Sequence, residues 1–309
     1  MMRLSYKIIL LLAIITISGI LINATRQDDA MDGLEDQPII EKNTSDSYTI
    51  KALKIPENLA FAGERVPLER HDVKERIDRE LLVNTYWQSN ALLWLKRTHR
   101  YFPVIEPILE EKGVPNDFKY LAVIESDLLN VTSPAGAKGM WQMLKGAARE
   151  NGLEVNDNVD ERYHLEKATR AACDYLISAK KRLGSWTLAA GAYHAGNHGI
   201  DKRMNTQLVD NYWDVLAGEM TERYVPRILA AKEILSNPKK YGFQYDKEDL
   251  YTLPRSYPVK VDTAITNIAA FAKKYGTHYK ELKIHNPWLR ENKLNNKSRK
   301  VYYINIPER

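Results

Sequence analysis

The sequence predicts a mainly α protein: an all-helical body over roughly residues 60–240, followed by a small α+β unit. Three observations predict it. Apolar residues recur at helical spacing in run after run from Asp72 onward, and no β-hairpin signal is read ahead of residue 245. After YGFQYDKEDLYTLPR the texture changes to short strand, helix, turn, helix, loop, short strand, a βααβ order. With 309 residues, 44% of them hydrophobic and 28% charged, the chain can build one sizeable core and a small second domain.

The elements follow in order. Arg3 and Lys7 precede Ile8 to Ile22, a stretch without charge, so residues 1–24 are expected to be a signal peptide or an N-terminal membrane anchor. The stretch is shorter than the about 20 residues a spanning helix needs, and INATR is a poor cleavage site, so both readings stand. Either implies export to the periplasm or cell envelope. Residues 25–58 are polar and acid-rich, a flexible linker, and the division continues with 59–240 and 241–309. In the body, VKERIDRELLVNTYWQSNALLWLKRTHRYFPVIEPILEEKG is helical, with breaks expected at Pro103 and Pro107 and an end at GVP, 113–115. Pro115-Asn116-Asp117 opens a helix through Phe118–Leu129, with Asp117 as its cap. The loop TSPAGAKG, a short helix from Met140 to Asn151 and the irregular GLEVNDNVDERYH come next. HLEKATRAACDYLISAKKRLG is amphipathic, burying Leu165, Ala168, Ala172, Tyr175, Leu176, Ala179 and Leu183, with Gly184 as C-cap. SWTLAAGAYHAG and TERYVPRILAAKEIL complete the body; the α+β unit is expected to hang on its own tether.

Several chemistries are excluded. Cys173 is the sole cysteine, so the chain has no internal disulfide and no Cys-based zinc site, and Cys173 reads as a small core residue. A net charge of +5 is too mild to indicate nucleic acid. His194 and His198 have two-ligand spacing, but Gly196 and Gly199 fray that end and no third ligand is in view, so no metal is expected. Lys138 is followed by Gly139, which rules out a phosphate-binding loop, and no cofactor is expected. Trp87, Trp94 and Trp186 read as core, and Lys180, Lys181 and Arg182 as a solvated helix end.

The informative stretch is VIESDLLNVTSPAGAKGMWQM, residues 123–143. Phe118, Leu121, Ala122, Leu128 and Leu129 mark one helical face, and Glu125 falls in its middle. Desolvation there disfavours the charged form, which suits a general acid; a buried Arg or Lys partner, or a side chain swung to solvent, are the plainer readings. SPAGAKG lets backbone approach a bulky ligand, and MWQM is expected to place an aromatic face and an amide at the mouth, as a sugar ring would want. A conventional glycosidase needs a second carboxylate about 5–9 Å away. Asp127 is rotated about 200° from Glu125 on a helix, Asp117 is two turns off, and nothing marks Asp157, Asp160 or Glu161.

ESDLLNVTSPAGAKGMWQM resembles the signature of the family-1 lytic transglycosylases, whose catalytic domain is goose-lysozyme-like: a Glu-Ser pair, a Ser ahead of a Gly-Ala-x-Gly loop, and a Gln. RLGSWTLAAGAYHAG and ERYVPRILAAKEI follow in the family's order, so the resemblance covers about residues 90–240 and is nearest to the membrane-bound type. It implies a lysozyme-like fold with Glu125 as catalytic acid/base. It also implies Ser126, Ser133, Gly136, Gln142, Met143, Tyr193 and His194 as substrate-contacting positions, with peptidoglycan glycan strands as partner. The implied reaction breaks the MurNAc–GlcNAc β-1,4 bond without water: one Glu protonates the leaving oxygen, then deprotonates the MurNAc 6-hydroxyl, giving a 1,6-anhydro product. The chain departs from the family at His194, where an Asn is usual, and at Met220, where an acid is usual. A hydrolytic muramidase and a non-catalytic wall-binding protein are the alternatives. YPVKVDTAITNIAAFAKKYGTHYKELKIHNPWL with INIP resembles a degenerate LysM module, which implies either N-acetylglucosamine binding or mere docking on the body.

Overall fold

The computed structural model describes residues 50–308; the expected signal or anchor segment lies outside them. The described chain turns first at Ala62-Gly63. Both have positive φ, 52° and 81°, the geometry of a two-residue hairpin turn, and it pairs β1 (Ala60–Phe61) with β2 (Glu64–Arg65). This hairpin was not legible, because two-residue strands are too short to alternate. It matters all the same: Phe61 is fully buried, edge-on to Phe118 at 5.0 Å, and Phe118 is edge-on to Trp186 at 5.4 Å. Asp117 accepts from the Ala62 N–H at 2.8 Å and from Lys232 Nζ at 2.7 Å, so it ties elements together rather than capping a helix.

Helices α1 (His71–Tyr86) and α2 (Gln88–Glu111) are separated at Trp87, whose ψ of 61° is not helical. Trp87 is 58% exposed, against expectation, whereas Trp94 is in the core and Trp186 packs on it. Pro103 and Pro107 do not break α2. They lie four apart on its exposed face, so the carbonyls they leave without an N–H partner face water. Helix α3 (Lys119–Ser126) stops three residues before the expected Leu129, because Asp127 and Leu128 turn left-handed at φ 54° and 57°. The expected helix from Met140 shrinks to α4 (Lys145–Glu150), residues before it forming turns.

Helix α5 (Leu165–Leu183) buries Ala168, Ala172, Leu176, Ala179 and Leu183 and ends on Gly184 at φ 82°, as its pattern predicts, whereas Leu165 and Tyr175 are half-buried. Cys173 is fully buried, and burial pushes its thiol up to about 12. Helices α6 (Trp186–Ala195), α7 (Asn197–Gln207), α8 (Glu219–Glu222) and α9 (Tyr224–Ser236) follow. Helix α9 crosses the body, packing on α1, α3 and α6, and so carries its side chains to the C-terminal end of α3.

The final unit is βααβ, as the sequence predicts. β3 (Ser256–Val261) and β4 (Tyr302–Pro307) pair antiparallel, Ser256 opposite Pro307 and Val261 opposite Tyr302, around α10 (Ile268–Lys274) and α11 (Tyr279–His285). It does not hang on a tether. Its core takes in Val159 and Tyr163 of the irregular GLEVNDNVDERYH segment. Asp160 N donates to Trp288 O and Arg290 N to Asn158 O, both at 2.9 Å, while the Asn158 side chain bonds Lys293 O and Asn295 N at 2.7 Å. The described residues from 52 onward thus form one compact unit. Among the described residues no helix is long and apolar enough to cross a membrane.

Glu64 gives the fold a testable joint. Its carboxylate accepts from Ser185 Oγ, from the backbone N–H groups of Trp186 and Thr187, and from Thr187 Oγ1, at 2.6–2.9 Å, satisfying donors at the start of α6. Burial opposes its charge, but these bonds outweigh burial and hold Glu64 below its ordinary 4.5. Glu64→Ala is expected to lower unfolding free energy by about 1–2 kcal/mol at pH 7. A depressed carboxyl contributes above its unfolded value and ceases to as pH falls through its folded one. Chemical denaturation as a function of pH should therefore show wild type and variant converging below 4.5.

Candidate active site

Glu125 occupies the last turn of α3, half-buried, and its Oε1 accepts a hydrogen bond from the Tyr224 hydroxyl at the start of α9. One turn further along α9, Arg227 donates to Ile124 O at 3.0 Å, which brings its charge near Glu125 without an ion pair between them. Burial raises the Glu125 carboxyl; the Tyr224 hydrogen bond and the Arg227 charge oppose this, and burial prevails, leaving it above 4.5. Tyr224 is itself pushed well above 10.0, by burial and then by the Glu125 charge, so it remains a donor. His194 stacks on the Tyr224 ring at 4.9 Å and 21°, and packing plus the Arg227 charge hold it below 6.5. The partner of Glu125 is therefore a phenol and not the Arg or Lys of the plainer reading.

The loop after α3 is fastened at each of its predicted residues. Ser126 Oγ donates to Met140 O at 2.8 Å. Ser133 closes its own turn: its carbonyl takes the Gly136 N–H at 2.9 Å and its Oγ the Ala137 N–H at 3.1 Å, with Gly136 at φ 81°. Gln142, at φ 46°, donates Nε2 to Gly139 O at 2.7 Å and Val131 O at 3.1 Å. Tyr193 reaches from α6 to donate to Trp141 O at 2.7 Å. Met143 is buried in the core. Met140 and Trp141 are buried too, and the Trp141 indole donates to Thr169 Oγ1 at 2.9 Å, so no aromatic face of MWQM stands at a mouth. Turns rather than a helix carry this stretch, and they send its large side chains inward.

The structure brings Glu125 together with His194 through Tyr224, and the loop residues with one another. His198 is exposed on α7. Met220 is 55% exposed, and Glu222 is spent on the Ala217 and Gly218 N–H groups and on Arg76. The other acids weighed as partners are engaged elsewhere: Asp127 with the Trp94 indole N–H at 2.6 Å, Asp160 with Arg162, and Glu161 with Lys167; Asp157 is exposed.

Sequence reasoning missed four residues of the site. Tyr224 and Arg227 stood in the ERYVPR motif, three apart and so on one helix face, which was a usable signal. Gly139 stood as the last glycine of the Gly-Ala-x-Gly loop without being marked as a site residue, and Arg162 left no signal. A Cβ on Gly139, at φ 78°, would lie 1.9 Å from Arg162 O. Arg162 is itself buried, bidentate to Asp160 at 2.9 and 2.8 Å, and gives Nη1 to Gly136 O and Met143 O at 3.2 Å. The arrangement yields a partly desolvated carboxyl able to give and then take one proton, held by a neutral donor beside a clamped loop.

Two outcomes follow. Carbon-13 NMR should show the Glu125 carboxyl titrating above 4.5, and Tyr224→Phe should move it higher, because the lost hydrogen bond favoured the charged form. Gly139→Ala should force the loop off Arg162 and lower the melting temperature, whereas Gly136→Ala, which meets no atom within 4 Å, should cost far less by the same measurement.

The chain is similar to several known proteins. Residues 103–214 match the transglycosylase SLT domain, and residues 257–309 the soluble lytic transglycosylase C-terminal LysM-like domain. Over 199 residues the chain is 27% identical to membrane-bound lytic murein transglycosylase D of Escherichia coli K12, and equally to that of strain O6:H1. These alignments cover 62% of this chain and 43% of each relative, so the chain spans less than half the length of the curated relatives it matches. An inactive mutant of lytic transglycosylase Slt from Pseudomonas aeruginosa aligns over 50% of this chain and 26% of that one, at 18% identity and a TM-score of 0.37. The chain therefore carries a transglycosylase SLT domain followed by a C-terminal LysM-like domain, and is homologous to the membrane-bound lytic murein transglycosylases D.

Proposed function

We propose that this chain cleaves peptidoglycan glycan strands as a lytic transglycosylase, with Glu125 as acid and then base. The observation that carries the reading is the state of Glu125: half-buried, raised above 4.5, and hydrogen-bonded by a phenol, while the acids nearest in sequence are committed elsewhere. A reaction that needs one carboxyl fits such a site. Protonated Glu125 gives its proton to the oxygen linking MurNAc to GlcNAc, and the C1–O bond breaks. The carboxylate then takes the proton of the MurNAc 6-hydroxyl, whose oxygen bonds to C1, closing the 1,6-anhydro ring and returning Glu125 to its acid form. No water is consumed.

The other positions support this role. Ser126 and Tyr193 set the loop against α3 through the Met140 and Trp141 carbonyls; Ser133, Gly136 and Gln142 shape its rim; Met143 anchors it from below; His194 orients Tyr224. The names of the Escherichia coli relatives concern murein, which agrees with a peptidoglycan substrate. An exported enzyme of the cell envelope, with residues 1–24 as a signal peptide or membrane anchor and a division at residue 240 into body and module, completes the reading.

Product analysis on isolated sacculi tests it. Wild type should release anhydro-muropeptides, and Glu125→Gln should lower release at least about a thousandfold. Reducing-end products alone would mean hydrolysis by water, and sacculus binding without release would mean a binding protein. A raised carboxyl pKa means the charged form is costly in the fold above that pKa and costs nothing below the unfolded value. Glu125→Gln should thus keep or raise the melting temperature at pH 7, with any gain gone below pH 4.5.

A further inference from the structure

His194 has a place in the site but no task in the proposed proton transfers. It lies in the last turn of α6 and covers one face of the Tyr224 ring, centroids 4.9 Å apart and planes at 21°. Tyr224 is 1% exposed, so the imidazole is part of what keeps water from the phenol. The phenol in turn gives its hydrogen bond to Glu125. Among the described residues the His194 ring nitrogens take no hydrogen-bond partner, and the residue itself is exposed. A proton can therefore reach the ring without breaking a bond.

The groups around the ring set the terms of its protonation. Packing and the Arg227 charge oppose it and hold His194 below its ordinary 6.5. The C-terminal end of α6 and the face of the Tyr224 ring both favour a cation, which keeps protonation within reach of acid conditions. Ionisable groups on the elements packed against α6 are engaged elsewhere. On α8, Glu219 pairs with Arg223 and Glu222 with Arg76. On α5, Tyr175 donates to Ala192 O; in the turn at 212–214, Tyr212 donates to Thr221 O and Asp214 pairs with Arg70. On α7, His198 is exposed and Asp201 pairs with Arg182, while Tyr193 of α6 itself donates to Trp141 O. Arg227 is thus the charge that bears on the imidazole, and Glu125 is the carboxyl it meets through Tyr224.

Protonation there would change the chemistry next to it. The proposed reaction begins from protonated Glu125 and returns to it, so that carboxyl alone gives a rate that rises as pH falls and then levels. It supplies no acid limb. An imidazolium on Tyr224 would supply one. With Arg227 it would set two cations beside a site where positive charge develops on the sugar as the C1–O bond breaks. It would also favour the charged form of Glu125, leaving a poorer acid for the leaving oxygen and a poorer base for the 6-hydroxyl. We propose that His194 gates the cut by its own protonation: neutral, it holds Tyr224 on Glu125 as a positioning residue; protonated, it shuts the site in acid. The proposal rests on the transglycosylase reading above, and part of its test needs no turnover.

Two measurements on the full chain test it. Release of anhydro-muropeptides from sacculi is followed from about pH 4 to about pH 8, across the histidine range, each protein being compared with its own maximum. Wild type should lose kcat/KM below 6.5, by about tenfold per pH unit once His194 is protonated. His194→Phe keeps a flat ring for Tyr224 but cannot take a proton, and it should lack this acid limb; so should His194→Gln. Melting temperatures taken at the same pH values separate gating from acid unfolding. Carbon-13 NMR reads the gate without substrate. The wild-type Glu125 carboxyl signal should show a second inflection coinciding with the titration of the His194 ring, and His194→Phe should abolish it. An acid limb that survives in His194→Phe, or is absent from wild type, would overturn the proposal, as would a Glu125 signal indifferent to His194. Were no anhydro product formed at any pH, the transglycosylase reading would fall, and the shared inflection would still uphold or overturn the coupling on which the gate depends.

Discussion

The architecture depends on one buried guanidinium. Arg162 sits where the loop after α3, the irregular 152–164 segment and, through that segment, the C-terminal module meet. Burying a charge costs several kcal/mol unless it is paired and fully hydrogen-bonded. Here both conditions hold: Asp160 takes two of its donors, and Gly136 and Met143 carbonyls share a third. The pair therefore does more than neutralise itself, since its remaining donor is what draws the loop down. The Arg162 carbonyl then leaves no space for any side chain at residue 139, so a glycine is required there by contact as well as by φ.

With the loop held, the electrostatics of Glu125 become simple. A cation in direct contact would favour the carboxylate and keep it ionised, useful for a base and wrong for an acid. A phenol pushed well above 10.0 donates to either form without bringing a charge. Arg227 contributes from a distance, its own hydrogen bond going to the Ile124 carbonyl. Burial therefore retains the upper hand and keeps the Glu125 carboxyl above its ordinary range.

The C-terminal module gains a second meaning from the same joint. Its fold is held by the β3–β4 ladder and by Trp288, Tyr302 and Leu289, yet Val159 and Tyr163 belong to its core as fully as its own residues do. Tyr163 also meets Thr132 of the loop after α3, at 3.1 Å. Module and loop thus share one support.

Much was legible in the sequence because it was local. The apolar spacing of α5, the Gly184 cap, the βααβ order and the carboxylate on the apolar face of α3 each depend on residues a few positions apart. Glu125 was singled out in this way, while Ser126 and Gln142 were expected only from the motif that the stretch resembles. Tertiary structure alone decided the rest. Tyr224 meets Glu125 across 99 residues, and Arg162 lies beneath Gly136 across 26. Whether Pro103 and Pro107 break a helix depended on which face met water, and whether Trp141 met sugar or core depended on the turns around it. Local hydrogen bonding and burial write a period into the chain; a side chain reaching a distant carbonyl writes none, and only the packing of α9 on α3 and of the 152–164 segment on the loop could supply those partners.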